Sequence, residues 1–92
     1  IKKNTSPQVL IYHTHTTESY DGTARTTDKS KSVCAVGDEI AKELQAAGIG
    51  VVHDTTYHDY PAYDGSYDRS KATIQSNLKK YPGIQVTLDI HR

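Results

Sequence analysis

The spacing of apolar positions changes along the chain, and each change marks an element. Residues 1–8, "IKKNTSPQ", are polar with Pro7 near their end, the pattern of a loose lead-in. Val9, Leu10, Ile11 and Tyr12 then run without a polar break, as a strand covered on both faces does. Residues 13–32 carry Thr, Ser, Asp, Gly and Lys with no period, which predicts a long loop; such loops in compact domains are usually functional or disordered. From Val33 the period becomes helical: Val33, Val36, Ile40, Leu44 and Ala47 share one stripe, with Ser32 as its start cap and Gly48 as its stop. "IGVVHD" reads as a second short buried strand, and the tyrosine-rich "TTYHDYPAYDGSYDR" as a loop. Tyr67, Ile74, Leu78 and Tyr81 mark a second amphipathic helix closed by "YPG". Finally "GIQVTLDIHR" alternates, with Ile84, Val86, Leu88 and Ile90 on one face and Gln85, Thr87, Asp89 and His91 on the other. The order strand-helix-strand-helix-strand predicts an α/β fold: three layers, with a mostly parallel sheet, flanking helices and right-handed crossovers.

Composition narrows this reading. Ninety-two residues make one small domain with a modest core, built from Val, Ile, Leu and seven tyrosines because Phe, Trp and Met are absent. Eleven basic and eleven acidic residues cancel, so no clustered positive charge argues for nucleic acid or a membrane surface. The single Cys34 excludes an internal disulfide and a multi-cysteine zinc site; beside the helical stripe it reads as an inert small apolar residue. No apolar run approaches the roughly 18 residues that span a bilayer. The start at Ile1, without Met or signal peptide, and the stop at Arg92 just after a strand-like run suggest an excised piece of a longer domain.

Chemistry gathers where the strands end. His13 and His15 follow the first strand, His53 ends the second and His91 the third, and sites in such sheets form at the strands' carboxyl ends. Within "HTHTTE", His15 and Glu18 form an H-x-x-E pair that can converge from a turn leaving a strand. Zinc takes imidazole nitrogen and carboxylate oxygen, and catalytic sites usually combine three protein ligands with a water. His91 is the natural third ligand, since a parallel sheet brings the first and third strand ends to one rim. His13 competes as an alternative ligand or as a partner that orients one, and the pair His13 and His15 would point to one side of an extended segment. A strand-end histidine is most often a plain surface residue, which is the expectation for His53. Glu18 could equally cap a turn. The tyrosine-rich loop is a second candidate, with Tyr57, His58, Tyr60, Tyr67 and Arg69 lining a substrate cleft; Asp59 could help line it. Those tyrosines could instead close the core, and Arg69 could be a solvated helix charge rather than a carboxylate anchor.

"QVLIYHTHTTESY", "SVCAVGDEIAKELQAAGIGVVHDTTYHDYPAYDGSYDRS" and "VTLDIHR" resemble the stage II sporulation protein P family of endospore-forming bacteria across essentially the whole chain. The resemblance implies a zinc-dependent peptidoglycan hydrolase similar to the N-acetylmuramoyl-L-alanine amidases. Such an enzyme cleaves the amide between muramic acid and the stem peptide, with added endopeptidase activity on crosslinks. It implies work outside the cytoplasm during forespore engulfment, from a membrane anchor absent here, alongside stage II sporulation proteins D and M. Residues 1–92 would then be the N-terminal part of one amidase catalytic domain. The metal ligands of the family fall on His15, Glu18 and His91, with Asp38 or Glu39 as lesser alternatives for the acidic one. Arg92 would steady the developing oxyanion or a substrate carboxylate. The family's general-base glutamate lies on a later strand, so it is expected beyond residue 92 and the fragment alone would hydrolyse little. The rival expectations are a zinc carboxypeptidase-like or deacylase-like hydrolase and a non-catalytic wall-binding module.

Overall fold

The computed structural model describes residues 4–19 and 25–91. Its core is a three-stranded parallel sheet in the order β2-β1-β3, with β1 spanning Asn4–Tyr12, β2 Ile49–His53 and β3 Val86–Asp89. Two helices alternate with the strands, α1 over Val33–Ala46 and α2 over Ser66–Lys80. The architecture is the α/β arrangement that the periodicity predicts.

The central position of β1 explains its composition. Leu10 pairs with Val52 on one side and Thr87 on the other; Ile11 pairs with His53 and Leu88. With neighbours on both edges and helices on both faces, Leu10 and Ile11 are fully buried, each contributing about 1.5–3 kcal/mol relative to exposure. Val9 and Ile11 meet Ala41 of α1, with Ile40, Leu44, Val51, Val86 and Leu88 packed around them. Tyr12 and Thr14 lie with Tyr67, Ser70 and Ile74 of α2 on the other side. The strand begins earlier than expected, at Asn4, so most of the lead-in belongs to the sheet. Its register slips on either side of Pro7, where the missing N–H cannot join a ladder.

Helix α1 starts where Ser32 accepts the Cys34 N–H at 3.1 Å, and beyond Ala47 the chain turns through Gly48 at φ 85° into β2. Two stripe assignments need correction. On α1 the buried face runs through Val33, Cys34, Gly37 and Ala41, whereas Val36 points outward. On α2 the buried residues are the polar Ser66, Ser70 and Asn77, while Tyr67 and Leu78 are exposed. This inverted face is possible because hydrogen bonds replace apolar contact: Ser70 Oγ receives Thr14 Oγ1 at 3.2 Å, and Asn77 donates to Asp54 at 2.9 Å.

The long stretch after β1 is pinned rather than loose. Thr16 Oγ1 donates to Thr56 O, and Thr17 donates to Asp59 through its backbone and its hydroxyl. Glu18 bridges to Arg25, Ser19 bridges to Ser32, and Val33 N–H donates to Glu18 O at 2.9 Å. These bonds tie the turn to the start of α1 and fix where Glu18 stands. Among the described residues, no helix is long and apolar enough to cross a membrane.

Candidate functional site

The carboxyl rim of the sheet carries two histidine clusters. At the β1–β3 rim, His15 stacks on Tyr63 with ring centroids 5.1 Å apart and planes at 4°, and meets His91 edge-on at 5.7 Å. Its Nδ1 is buried and has no hydrogen-bond partner among the described residues. Such an atom forfeits the bond that water would give it, about 1–3 kcal/mol, unless something else takes its lone pair. Glu18 Oε1 stands 3.2 Å from His91 Nδ1, and Asp89 Oδ2 stands 2.8 Å from His91 Nε2. Asp89 is itself held by Thr14, from the backbone N–H at 2.9 Å and from Oγ1 at 2.6 Å.

The protonation pattern follows from these contacts. Burial lowers the pKa of His91, but its bonds to Asp89 and Glu18 outweigh this and raise it above the ordinary value. Burial would raise the Asp89 carboxyl, yet the two Thr14 bonds and His91 hold it below the usual range. The result is an imidazole oriented by a carboxylate through Nε2, with Nδ1 turned toward a second carboxylate and an unpartnered histidine nitrogen nearby.

The predicted trio His15, Glu18 and His91 is therefore brought to one place. The described residues hold no group of three or more His, Cys, Asp or Glu side chains already spaced around one ion position. Instead a hydrogen bond joins Glu18 to His91. The donor set still fits a divalent metal: two imidazole nitrogens, one carboxylate oxygen, and a carboxylate behind one of the rings.

At the β1–β2 rim the chemistry is closed. His13 is fully buried, its Nδ1 bonded to Ile90 O at 3.0 Å and its Nε2 to His53 Nε2 at 2.8 Å. His53 Nδ1 continues to Asp38 Oδ1 at 2.8 Å. Burial lowers the pKa of His13; the bond to the Ile90 carbonyl pulls it back up in part, and the charge of His53 adds to the lowering. His53 is thus a half-buried link between His13 and Asp38 and not the plain surface residue expected. His13 and His15 do not share a side, because β1 ends at Tyr12 and a turn follows. Asp38 is occupied by His53, and Glu39 pairs with Lys42 at 3.4 Å on the exposed side of α1.

The other expected residues scatter. His58 is fully buried, bonded through Nδ1 to His13 O and through Nε2 to Thr73 Oγ1, so it braces the core. Arg69 donates to His58 O and Ala62 O, which makes it a clamp on the loop rather than a free carboxylate anchor. Tyr57 donates to Thr27 O and packs near Tyr60 at 5.9 Å. Tyr60 walls a cavity of about 410 Å³ that also contains Tyr63, Arg25 and Asp59. Tyr67 lines a different hollow with Tyr12 and Asp89. Arg92 lies outside the described residues. The sequence reading missed Asp89 and Arg25 as site residues, although the alternation placing Asp89 and His91 on one face already signalled the first; Tyr63 lies within the tyrosine-rich loop it singled out.

With this geometry in view, comparison with known proteins is informative. Residues 2–92 match the family model of Stage II sporulation protein P (SpoIIP). A curated relative, Stage II sporulation protein P of Bacillus subtilis (strain 168), is 33% identical over 97 residues. That match covers 91% of this chain and 24% of the relative, so the chain spans about a quarter of the relative's length. No solved structure matches significantly. The chain belongs to the stage II sporulation protein P family, a family of sporulation proteins.

Proposed function

We propose that this chain supplies the metal-binding rim of a zinc-dependent peptidoglycan hydrolase. It would cleave the amide between N-acetylmuramic acid and the stem peptide, with crosslink endopeptidase activity, during forespore engulfment. The observation that carries the reading is the buried, unpartnered Nδ1 of His15 beside the His91–Glu18 pair. Family membership supports the sporulation setting; in that setting the protein would work outside the cytoplasm beside stage II sporulation proteins D and M.

His15, Glu18 and His91 would hold the metal, His91 through its Nδ1. When bound, zinc polarises the scissile carbonyl and acidifies a water into a nucleophile. The chain's own residues do the positioning. Asp89 holds the His91 ring through Nε2, and Thr14 holds Asp89. His13 grips Ile90 O and so fixes the backbone that enters His91. Tyr63 keeps the His15 ring in plane by stacking. Tyr60 and its neighbours in the cavity beside His15 would receive the peptide.

The test is product analysis on purified cell-wall sacculi with the intact protein, with and without a zinc chelator. The proposal expects chelator-sensitive release of stem peptides bearing a new free amino group on their first residue. Release of terminal residues only would favour a carboxypeptidase. Binding without any cleavage would favour a wall-binding module.

A further inference from the structure

The cavity beside His15 is chemically one-sided. Asp59 forms its floor with a side chain that is 0% exposed and already saturated. Its carboxylate accepts Thr17 N–H at 3.1 Å, Thr17 Oγ1 at 2.7 Å and Arg25 Nη1 at 2.7 Å. Among the described residues lining the cavity, no other carboxylate faces the opening. Arg25 is different, with 47% of its side chain exposed. Its Nη1 serves Asp59 and Thr17 Oγ1, while its Nε and Nη2 meet no acceptor among the described residues. Among the described residues the opening thus offers donors in a guanidinium fork and no free carboxylate.

We propose that this cavity, walled by Tyr60, Pro61 and Tyr63 with Arg25 at its floor, binds a carboxylate of the peptide processed at the neighbouring centre. The proposal rests on the hydrolase reading above and adds the specificity of that site. An acceptor with two oxygens matches the free edge of the fork, and Lys could not reproduce that match. Asp59 pins the guanidinium beforehand, so little side-chain freedom is lost when a ligand arrives. The Tyr63 ring already stacks on His15 and carries the Arg25 guanidinium 4.5 Å from its centroid, which argues for a charged group over a stacked sugar. The same ring also links the two sites: it is a wall of the cavity and the support of a metal ligand. A carboxylate gripped by Arg25 therefore positions the peptide relative to His15. For Arg69 the sequence leaves a carboxylate anchor and a solvated helix charge both open, and in the structure its Nε and Nη2 donate to loop carbonyls.

The test uses the intact, zinc-loaded protein and two probes: a disaccharide-peptide with its stem carboxylates free, and the same compound with them converted to carboxamides. Calorimetry gives affinity without requiring turnover, and product assay runs in parallel. The unaltered protein should bind the free acid about tenfold or more tightly than the amide, the scale of a hydrogen bond to a charged group. Arg25→Lys should bring the two probes to similar affinity while keeping its zinc. Equal binding of both probes by the unaltered protein overturns the proposal, and does so even if Arg25→Lys cannot fold around Asp59. A preference that survives in a folded Arg25→Lys overturns it as well. Cleavage of both probes without a preference would sink this subsite alone. An Arg25-dependent preference without any cleavage would sink the hydrolase reading and leave the subsite standing.

Discussion

Two histidine clusters sit on the same rim, built from residues that are neighbours in sequence, yet they do opposite things. His13, His53 and Asp38 form a chain in which both nitrogens of both rings are engaged. His15, Glu18, His91 and Asp89 form a group in which one buried nitrogen has nothing to bond. The two rings of the first cluster lie under α1, where Gly37 leaves room: a Cβ there would come 2.5 Å from His53 Nε2 and 3.1 Å from His13 Cε1. The second opens toward solvent, with the His91 side chain 44% exposed. What separates a brace from a site is therefore whether the protein itself satisfies the polar atoms.

This contrast can be broken by substitution. The largest effect is expected from His15→Ala, which should cost more than the roughly 10–100-fold in zinc affinity typical of supporting groups, with little loss of fold stability. Zinc titration followed by thermal unfolding of the zinc-free protein separates the two. His13→Ala should do the reverse. Removing a fully buried ring leaves Ile90 O and His53 Nε2 without their His13 partner, and denaturant unfolding should report a loss of about 3 kcal/mol. Asp89→Asn keeps the size of the side chain but not its charge, and should weaken zinc by about 10–100-fold. Gly37→Ala drives a methyl into the His13–His53 contact and should cost about 1–3 kcal/mol while leaving zinc affinity close to normal.

The smallest expected effect is on pH dependence, where the two clusters differ in sign. His13 has a lowered folded pKa, so it adds stability that is present above the unfolded value near 6.5 and is lost as pH falls below it. His91 has a raised one in the metal-free protein. Its contribution is present below about 6.5 and disappears as pH rises through the folded value, and solvent screening keeps it small. Denaturation across pH 5 to about 8, on metal-free protein with His13→Gln and His91→Gln, should flatten opposite ends of the profile.

Much of this was legible in the chain because the relevant signals are local. The unbroken run into Tyr12, the Ser32 cap and the H-x-x-E spacing each need only a few neighbouring residues. Where the reading went astray, long-range bonds had overruled the local pattern. Helix α2 buries Ser70 and Asn77 because Thr14 and Asp54 meet them, and no apolar period can announce that. His58 looked like a loop residue until the carbonyl of His13 and the hydroxyl of Thr73 enclosed it. Arg25 sits in a stretch without any period, and only the buried carboxylate of Asp59, 34 residues away, gives it meaning. Val36 fell on the expected stripe, but α1 buries Gly37 against the His53 and His13 rings and Val36 is left exposed.

The account stands or falls on which cluster takes the metal. Elemental analysis of zinc per chain, after loading and dialysis, on the unaltered protein, His91→Ala and His53→Ala decides it. The account predicts near-stoichiometric zinc in the unaltered protein and in His53→Ala, and loss in His91→Ala. Zinc retained in His91→Ala, or lost from a folded His53→Ala, would contradict it.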